Sequence, residues 1–194
     1  MRKLIAGIVT LASAAALTVA AVAVSGSAQA DQHPAAQHPG AQFAGQVRAA
    51  GLSADQASAL QATVDREVAA TGGKQVAANE VEWNGGKTVV PLPGESSVRN
   101  LAAPRGTMYR CPYHYMCVYT GARFAGTMHM LYHCREYATP YTIQSWVNNQ
   151  SKGTRAEFRH YYHAPIYQTP GAPSYDTLID KNLTRSTYYI KPCN

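Results

Sequence analysis

The sequence has none of the short strings that announce common catalytic machinery. There is no H-E-x-x-H for a zinc hydrolase, no G-x-S-x-G for a serine nucleophile and no C-x-x-C for redox work. Those absences exclude the usual hydrolase and oxidoreductase sites, and the expectation is a protein that is not an enzyme. Acidic residues are also scarce, with eleven Asp and Glu against seventeen Lys and Arg. Beyond residue 24 no apolar run is long enough to cross a bilayer as a helix.

At the N-terminus, Arg2 and Lys3 precede an apolar run from Leu4 to Val24, and Ala28-Gln29-Ala30 then gives the small-x-small pattern of a cleavage site before Asp31. Residues 1–30 read as a secretory signal peptide, so the protein is expected outside the cell and off the membrane after cleavage. An uncleaved anchor is the alternative, but the run is mostly Ala, Val and Thr rather than Leu and Ile. Losing Arg2 and Lys3 lowers the formal charge from +6 to +4. What remains is uneven: residues 31–103 carry five Lys/Arg and seven Asp/Glu, residues 104–194 ten and four. All thirteen tyrosines and all four cysteines lie beyond residue 108, which places a domain boundary near Pro104.

Four cysteines in a small exported domain suit two disulfides. Three pairings of Cys111, Cys117, Cys134 and Cys193 are open. The C-x5-C spacing of Cys111 and Cys117 would close a short loop around Pro112 and leave Cys134 to reach Cys193. Zinc is the competing use, but C-x5-C is not finger spacing, and no metal site is expected.

The front half reads as a flexible tether over 31–52, a helix plus hairpin over 53–92 and a linker over 93–106. Ser53 and Gln56 form a capping-box pair, Leu60, Val64 and Val68 recur every fourth residue, and Gly72-Gly73 stops the helix after about five turns. Lys74–Trp83 and Lys87–Leu92 are strand-like runs around an Asn84-Gly85-Gly86 turn. Such a segment is too small to stand alone and should lean on the back domain. It reads equally as a removable propeptide and as a plain N-terminal extension.

In the back half, Tyr119-x4-Phe124-x-Gly126 is a strand followed by a folded hairpin, with paired rings and a glycine where a Cβ would be opposed. Ser145 stands further along, in a strand-like run with Trp146 and Val147. A weaker copy is Tyr162-x4-Tyr167-x-Thr169, with Ser186 and Thr187 at a similar interval beyond it. The pattern resembles the βγ-crystallin fold, whose Greek-key unit carries aromatic-x4-aromatic-x-Gly and a serine that fastens the hairpin. The resemblance implies a mainly β domain of two such repeats over 107–194, behind the small helix-plus-hairpin segment. With the leader, the C-P-x4-C opening and the helix-Gly-Gly-hairpin front, the layout is similar to secreted proteins grouped with the Streptomyces metalloproteinase inhibitor, a peptidase inhibitor family.

That resemblance implies a secreted monomeric peptidase inhibitor, with a metalloprotease the first partner to try and a constrained loop blocking the cleft. The exposed candidates are Arg135, Glu136, Tyr137 and Tyr141 in one loop, and His163, Tyr167 and Tyr175 in another, both outside the expected strands. The calcium positions of crystallin units, Pro140–Ser145 and Asn182–Thr187 here, lack most of their oxygen ligands, so no cofactor and no tight calcium site are expected. His129 and His133 lie on a strand, about 13 Å apart and unable to share an ion. His160 and His163 would fall on opposite faces of another strand. The alternative function is a cell-wall or glycan-binding module using Tyr161, Tyr162, Tyr188 and Tyr189 beside Arg159 and Lys191. Nucleic acid is not expected as a partner.

Overall fold

The computed structural model describes residues 39–101 and 108–194. The leader, the first part of the tether, the end of the linker from residue 102 and residue 107 lie outside these residues. In the described part of the tether, helical turns run from Pro39 to Phe43 and in α1 (Ala44–Ala49). The tether reading overlooked the spacing of Phe43, Val47, Ala50 and Leu52, which lets these side chains pack on the cluster around Leu60 and Val64. Helix α2 (Ala54–Thr71) has the expected ends. The Gln56 amide donates to Ser53 Oγ at 3.3 Å, the Ser53 amide donates to Gln56 Oε1 at 2.9 Å, and Gly72 closes the helix at φ 64°.

Strands β1 (Lys74–Ala77), β2 (Glu80–Trp83) and β3 (Gly86–Val89) come next as an antiparallel meander. The run read as one strand from Lys74 to Trp83 is therefore two. The turn at Ala78-Asn79 is held by Asn79, whose side-chain amide donates to the carbonyls of Val90 and Arg99 at 2.9 and 2.8 Å. Then come β4 (Tyr115–Tyr119), β5 (Met128–Leu131), β6 (Tyr137–Ala138), β7 (Ser145–Asn149), β8 (Glu157–Arg159), β9 (Pro165–Gln168), β10 (Ser174–Asp176), helix α3 (Lys181–Ser186) and β11 (Tyr189–Lys191).

The strands form two antiparallel sheets, ordered β1-β2-β3-β5-β4-β7-β10 and β6-β11-β8-β9. Thr88 of β3 stands opposite His129 of β5, so the front meander is continuous with the strands of the back half. Period-two alternation divides the core. Met116 and Val118 of β4 enter a cluster with Trp146, Phe158 and Ile190, which joins the two sheets. Cys117 and Tyr119 of the same strand enter the cluster of Phe124, Met128 and Val147 on the opposite face. Cys111 bonds Cys117, and Cys134 bonds Cys193 across 59 positions of sequence, resolving the open pairing. Among the described residues no helix is long and apolar enough to cross a membrane.

Candidate functional site

The first aromatic corner is a hydrogen-bonded unit. The Phe124 amide donates to Ser145 Oγ at 3.0 Å, and the Ser145 hydroxyl donates to the Gly121 carbonyl at 2.6 Å. Tyr119 and Phe124 meet edge to face at 5.5 Å, and the Tyr119 hydroxyl donates to the Tyr109 carbonyl at 2.7 Å. Gly126 has φ 75°, and a Cβ there would run into the Thr120 hydroxyl. This arrangement shapes the β4–β5 connection and leaves no reactive group at its surface.

The second copy is built differently. Tyr162 is 71% exposed and packs on Tyr161 at 3.6 Å, while Tyr167 packs inward on Phe158 at 5.5 Å, so the two rings of the motif do not meet. Ser186 ends helix α3 rather than fastening a hairpin, and the Thr187 hydroxyl donates to the Leu183 carbonyl at 2.7 Å. The helix begins instead at Asp180, whose carboxylate accepts from the amides of Asn182 and Leu183. Asn182 and Ser186, the residues that fit the calcium pattern, thus sit at opposite ends of a short helix.

The histidines take separate roles. His129 is buried on β5, stacked on Tyr141 at 3.7 Å, and its Nδ1 lies 3.0 Å from the Thr88 hydroxyl. Trp83 Nε1 donates to Thr88 Oγ1 at 2.9 Å, so the Thr88 hydroxyl joins the indole to the imidazole. Burial pushes the His129 pKa down to about 3, so the ring is neutral. His160 and His163 are not on a strand: they close the turn between β8 and β9, where His160 N–H donates to Ala164 and His163 N–H to His160. His163 takes φ 64°, and Pro165 starts β9 on the sheet edge, where its missing N–H costs no ladder bond.

Short strands run through both candidate loops, contrary to the expectation that they lie outside them. In the first loop, β6 pairs with β11 through Tyr137 and Ala138. Tyr137 is buried, its hydroxyl donates to the Gly85 carbonyl at 2.7 Å, and Arg135 donates to the Asn84 carbonyl. This loop is fastened to the β2–β3 turn, with Tyr141 folded under it against His129.

In the second loop, Tyr175 lies on β10 and stacks edge to face on Tyr109 at 4.8 Å. The β8–β9 turn is different: Tyr161, Tyr162, His163, Ala164, Pro165 and Ile166 are all exposed in succession. Beneath it, Arg159 pairs with Glu157 and with Glu136 (2.6 Å to the latter) and donates to the His163 carbonyl at 3.0 Å. His163 reaches the other oxygen of Glu136 and stacks on Tyr189 at 4.4 Å. Partial burial alone would raise the Glu136 carboxyl, but the bonds from His163 and Arg159 outweigh it and hold it below its ordinary value. Reading the loop from His163 onward missed Tyr161, Tyr162 and the bracing Arg159; Pro165 was the available sign that the turn comes earlier.

Among the described residues no three His, Cys, Asp or Glu side chains gather as metal ligands. The site can present apolar and aromatic side chains on a braced turn, and it holds no nucleophile beside a base. No curated protein and no solved structure matches the chain. Residues 104–172, which include the aromatic corner, the Cys134–Tyr141 segment and the whole β8–β9 hairpin, match the model of peptidase inhibitor family I36, and over this segment the chain is similar to members of that family.

Proposed function

We propose that the protein is a secreted, monomeric inhibitor that blocks the cleft of an extracellular peptidase with its β8–β9 hairpin, and that the target is a metalloprotease. The observation that carries this reading is the run of exposed residues from Tyr161 to Ile166, held from below by the Arg159, Glu136 and His163 ties. A turn fixed before contact loses little conformational entropy on binding, and a braced turn resists release after cleavage. The Arg135–Tyr141 loop supports the hairpin through Glu136, and its exposed residues Arg135, Ala138 and Pro140 alternate with the buried Tyr137 and Thr139 rather than forming a continuous run. The metalloprotease assignment rests on the likeness to the Streptomyces metalloproteinase inhibitor. The division of the chain at 93–106 rests on composition.

A second reading is favoured by one observation. Tyr161, Tyr162 and Tyr188 are exposed neighbours, with Tyr161 lying 3.6 Å from Tyr162 and 5.7 Å from Tyr188. Such a patch can stack on sugar rings as well as fill an apolar subsite. The two readings separate in one experiment, in which purified protein is assayed at micromolar concentration against metallo- and serine proteases beside a pull-down on chitin and cell wall. Slowing of a metalloprotease with no retention supports the inhibitor; retention with no protease slowed overturns it.

A further inference from the structure

A cavity of about 410 Å³ lies between the last turns of α2 and the Arg135–Tyr141 segment. Its walls include Ala70, Trp83, Tyr137, Pro140 and Tyr141, with Glu67 at one side. Its size and mostly apolar walls with few polar groups are those of a small-molecule site.

The charges around it are almost all committed. Arg135 donates to the Asn84 carbonyl and lies over the Tyr137 ring at 4.7 Å. Glu136 is engaged by Arg159 and His163. His129 is neutral, with Nδ1 taken by Thr88. Neither Arg135 nor Glu67 has an ion pair among the described residues, but the Arg135 guanidinium is taken up by the Asn84 carbonyl and the Tyr137 ring, whereas the Glu67 carboxylate has no side-chain hydrogen bond there; burial raises its carboxyl above the ordinary value although Arg66 opposes the shift. Independently, the Tyr141 hydroxyl is buried without a hydrogen-bond partner. Its own pKa is raised, by burial first and then by the Glu67 charge, so the carboxylate lies close enough to act on the hydroxyl.

We infer that this cavity binds a small organic cation, a protonated amine on an apolar or aromatic body, with the ammonium between Glu67 and the Tyr141 oxygen and the body against Trp83 and Tyr137. A carboxylate accepts the ammonium's protons, a phenol oxygen takes one more, and aromatic faces attract the remaining positive charge. An anion would be repelled by the Glu67 carboxylate and would find the Arg135 guanidinium already held by the Asn84 carbonyl and the Tyr137 ring, and a neutral hydrocarbon would leave both polar groups unpaired. The cation belongs either to a free amine or to a lysine side chain presented by a peptide. Glu136 is common to the cavity wall and to the ties beneath the turn, but none of Tyr161 to Ile166 lines the cavity and Glu67 makes no tie to the turn, so a change at Glu67 tests amine binding separately from protease inhibition.

The test is titration of the purified protein, monitored by amide shifts at residues 67–71 and 135–141, with phenethylamine, 3-phenylpropionate and N-acetyl-lysine methylamide. At least one amine should give saturable shifts and the carboxylate none; which amine binds identifies the source. Glu67→Gln and Tyr141→Phe keep the shape of the site, and Glu67→Gln should weaken binding by about tenfold or more. Saturable binding of the carboxylate as strong as that of the amines overturns the inference, as does the absence of shifts with both amines or an affinity unchanged in both variants.

Discussion

The Thr88 hydroxyl lies 3.0 Å from Nδ1 of His129, 41 positions later, and ties the third strand of the front meander to the second strand of the aromatic corner. Trp83 feeds the same hydroxyl, and Tyr141 covers the imidazole, so four side chains from separate parts of the chain form one buried stack. The front half therefore contributes to the polar core beneath the Arg135–Tyr141 loop.

This pair predicts a pH dependence. The unfolded histidine titrates near its ordinary 6.5, while burial holds the folded one near 3. Between those values the unfolded chain takes up a proton that the folded chain refuses. Stability is whole above the upper value and drains away as pH falls toward the lower, by at most about 1.4 kcal/mol per pH unit. His129→Leu should cost about 1–3 kcal/mol at neutral pH, because the buried Thr88 hydroxyl loses its imidazole partner. It should also flatten the loss of stability on acidification, which denaturant melts of both proteins across that range will show.

Ser145→Ala removes the acceptor for the buried Phe124 amide and the donor to Gly121. The expected loss is about 1–3 kcal/mol in urea unfolding, since an unpaired buried amide carries its full desolvation cost. Ser186→Ala, at the end of a short surface helix, should cost about 0.5 kcal/mol or less. Equal losses would mean that the two repeats are fastened alike.

The two disulfides should differ in weight. Cys134–Cys193 closes a loop spanning 59 positions and Cys111–Cys117 one spanning 6. On loop entropy, Cys134→Ser with Cys193→Ser should cost about 4 kcal/mol and Cys111→Ser with Cys117→Ser about 2 kcal/mol. Chemical denaturation of the two double variants gives the comparison.

The Glu136 tie to the hairpin should weaken in acid. Its carboxyl is held below the ordinary 4.5, so the contribution is present above that value and is lost as pH falls below it. Glu136→Gln should therefore speed proteolytic nicking of the β8–β9 turn at neutral pH and have a smaller effect at pH about 3, read by mass spectrometry with an acid-active protease for the lower point.

Helix α2 was legible because its signals are local: the Ser53 and Gln56 cap, the four-residue spacing of Leu60, Val64 and Val68, and Gly72 at the end. The first aromatic corner was legible for the same reason, since Tyr119, Phe124 and Gly126 lie within one hairpin. The second copy misled because only Tyr167 points inward. Tyr162 sits in a turn that the aromatic spacing does not encode, and its conformation depends on Arg159, Glu136 and His163 meeting from two separate segments. The cavity beside Glu67 was invisible for a similar reason, because α2 and the Arg135–Tyr141 segment meet only in the folded chain.

The central claim is tested most directly by the inhibition constant of the purified protein against a thermolysin-type metalloprotease, compared with that of a variant carrying Tyr161→Ser and Tyr162→Ser. Removing two exposed aromatic contacts should weaken inhibition by about tenfold or more, at roughly 1 kcal/mol or more per ring, while the melting temperature hardly moves. Inhibition that is unchanged in the variant would contradict the hairpin as the blocking element. No inhibition by the unaltered protein, across the metalloproteases tried, would contradict the proposed target class.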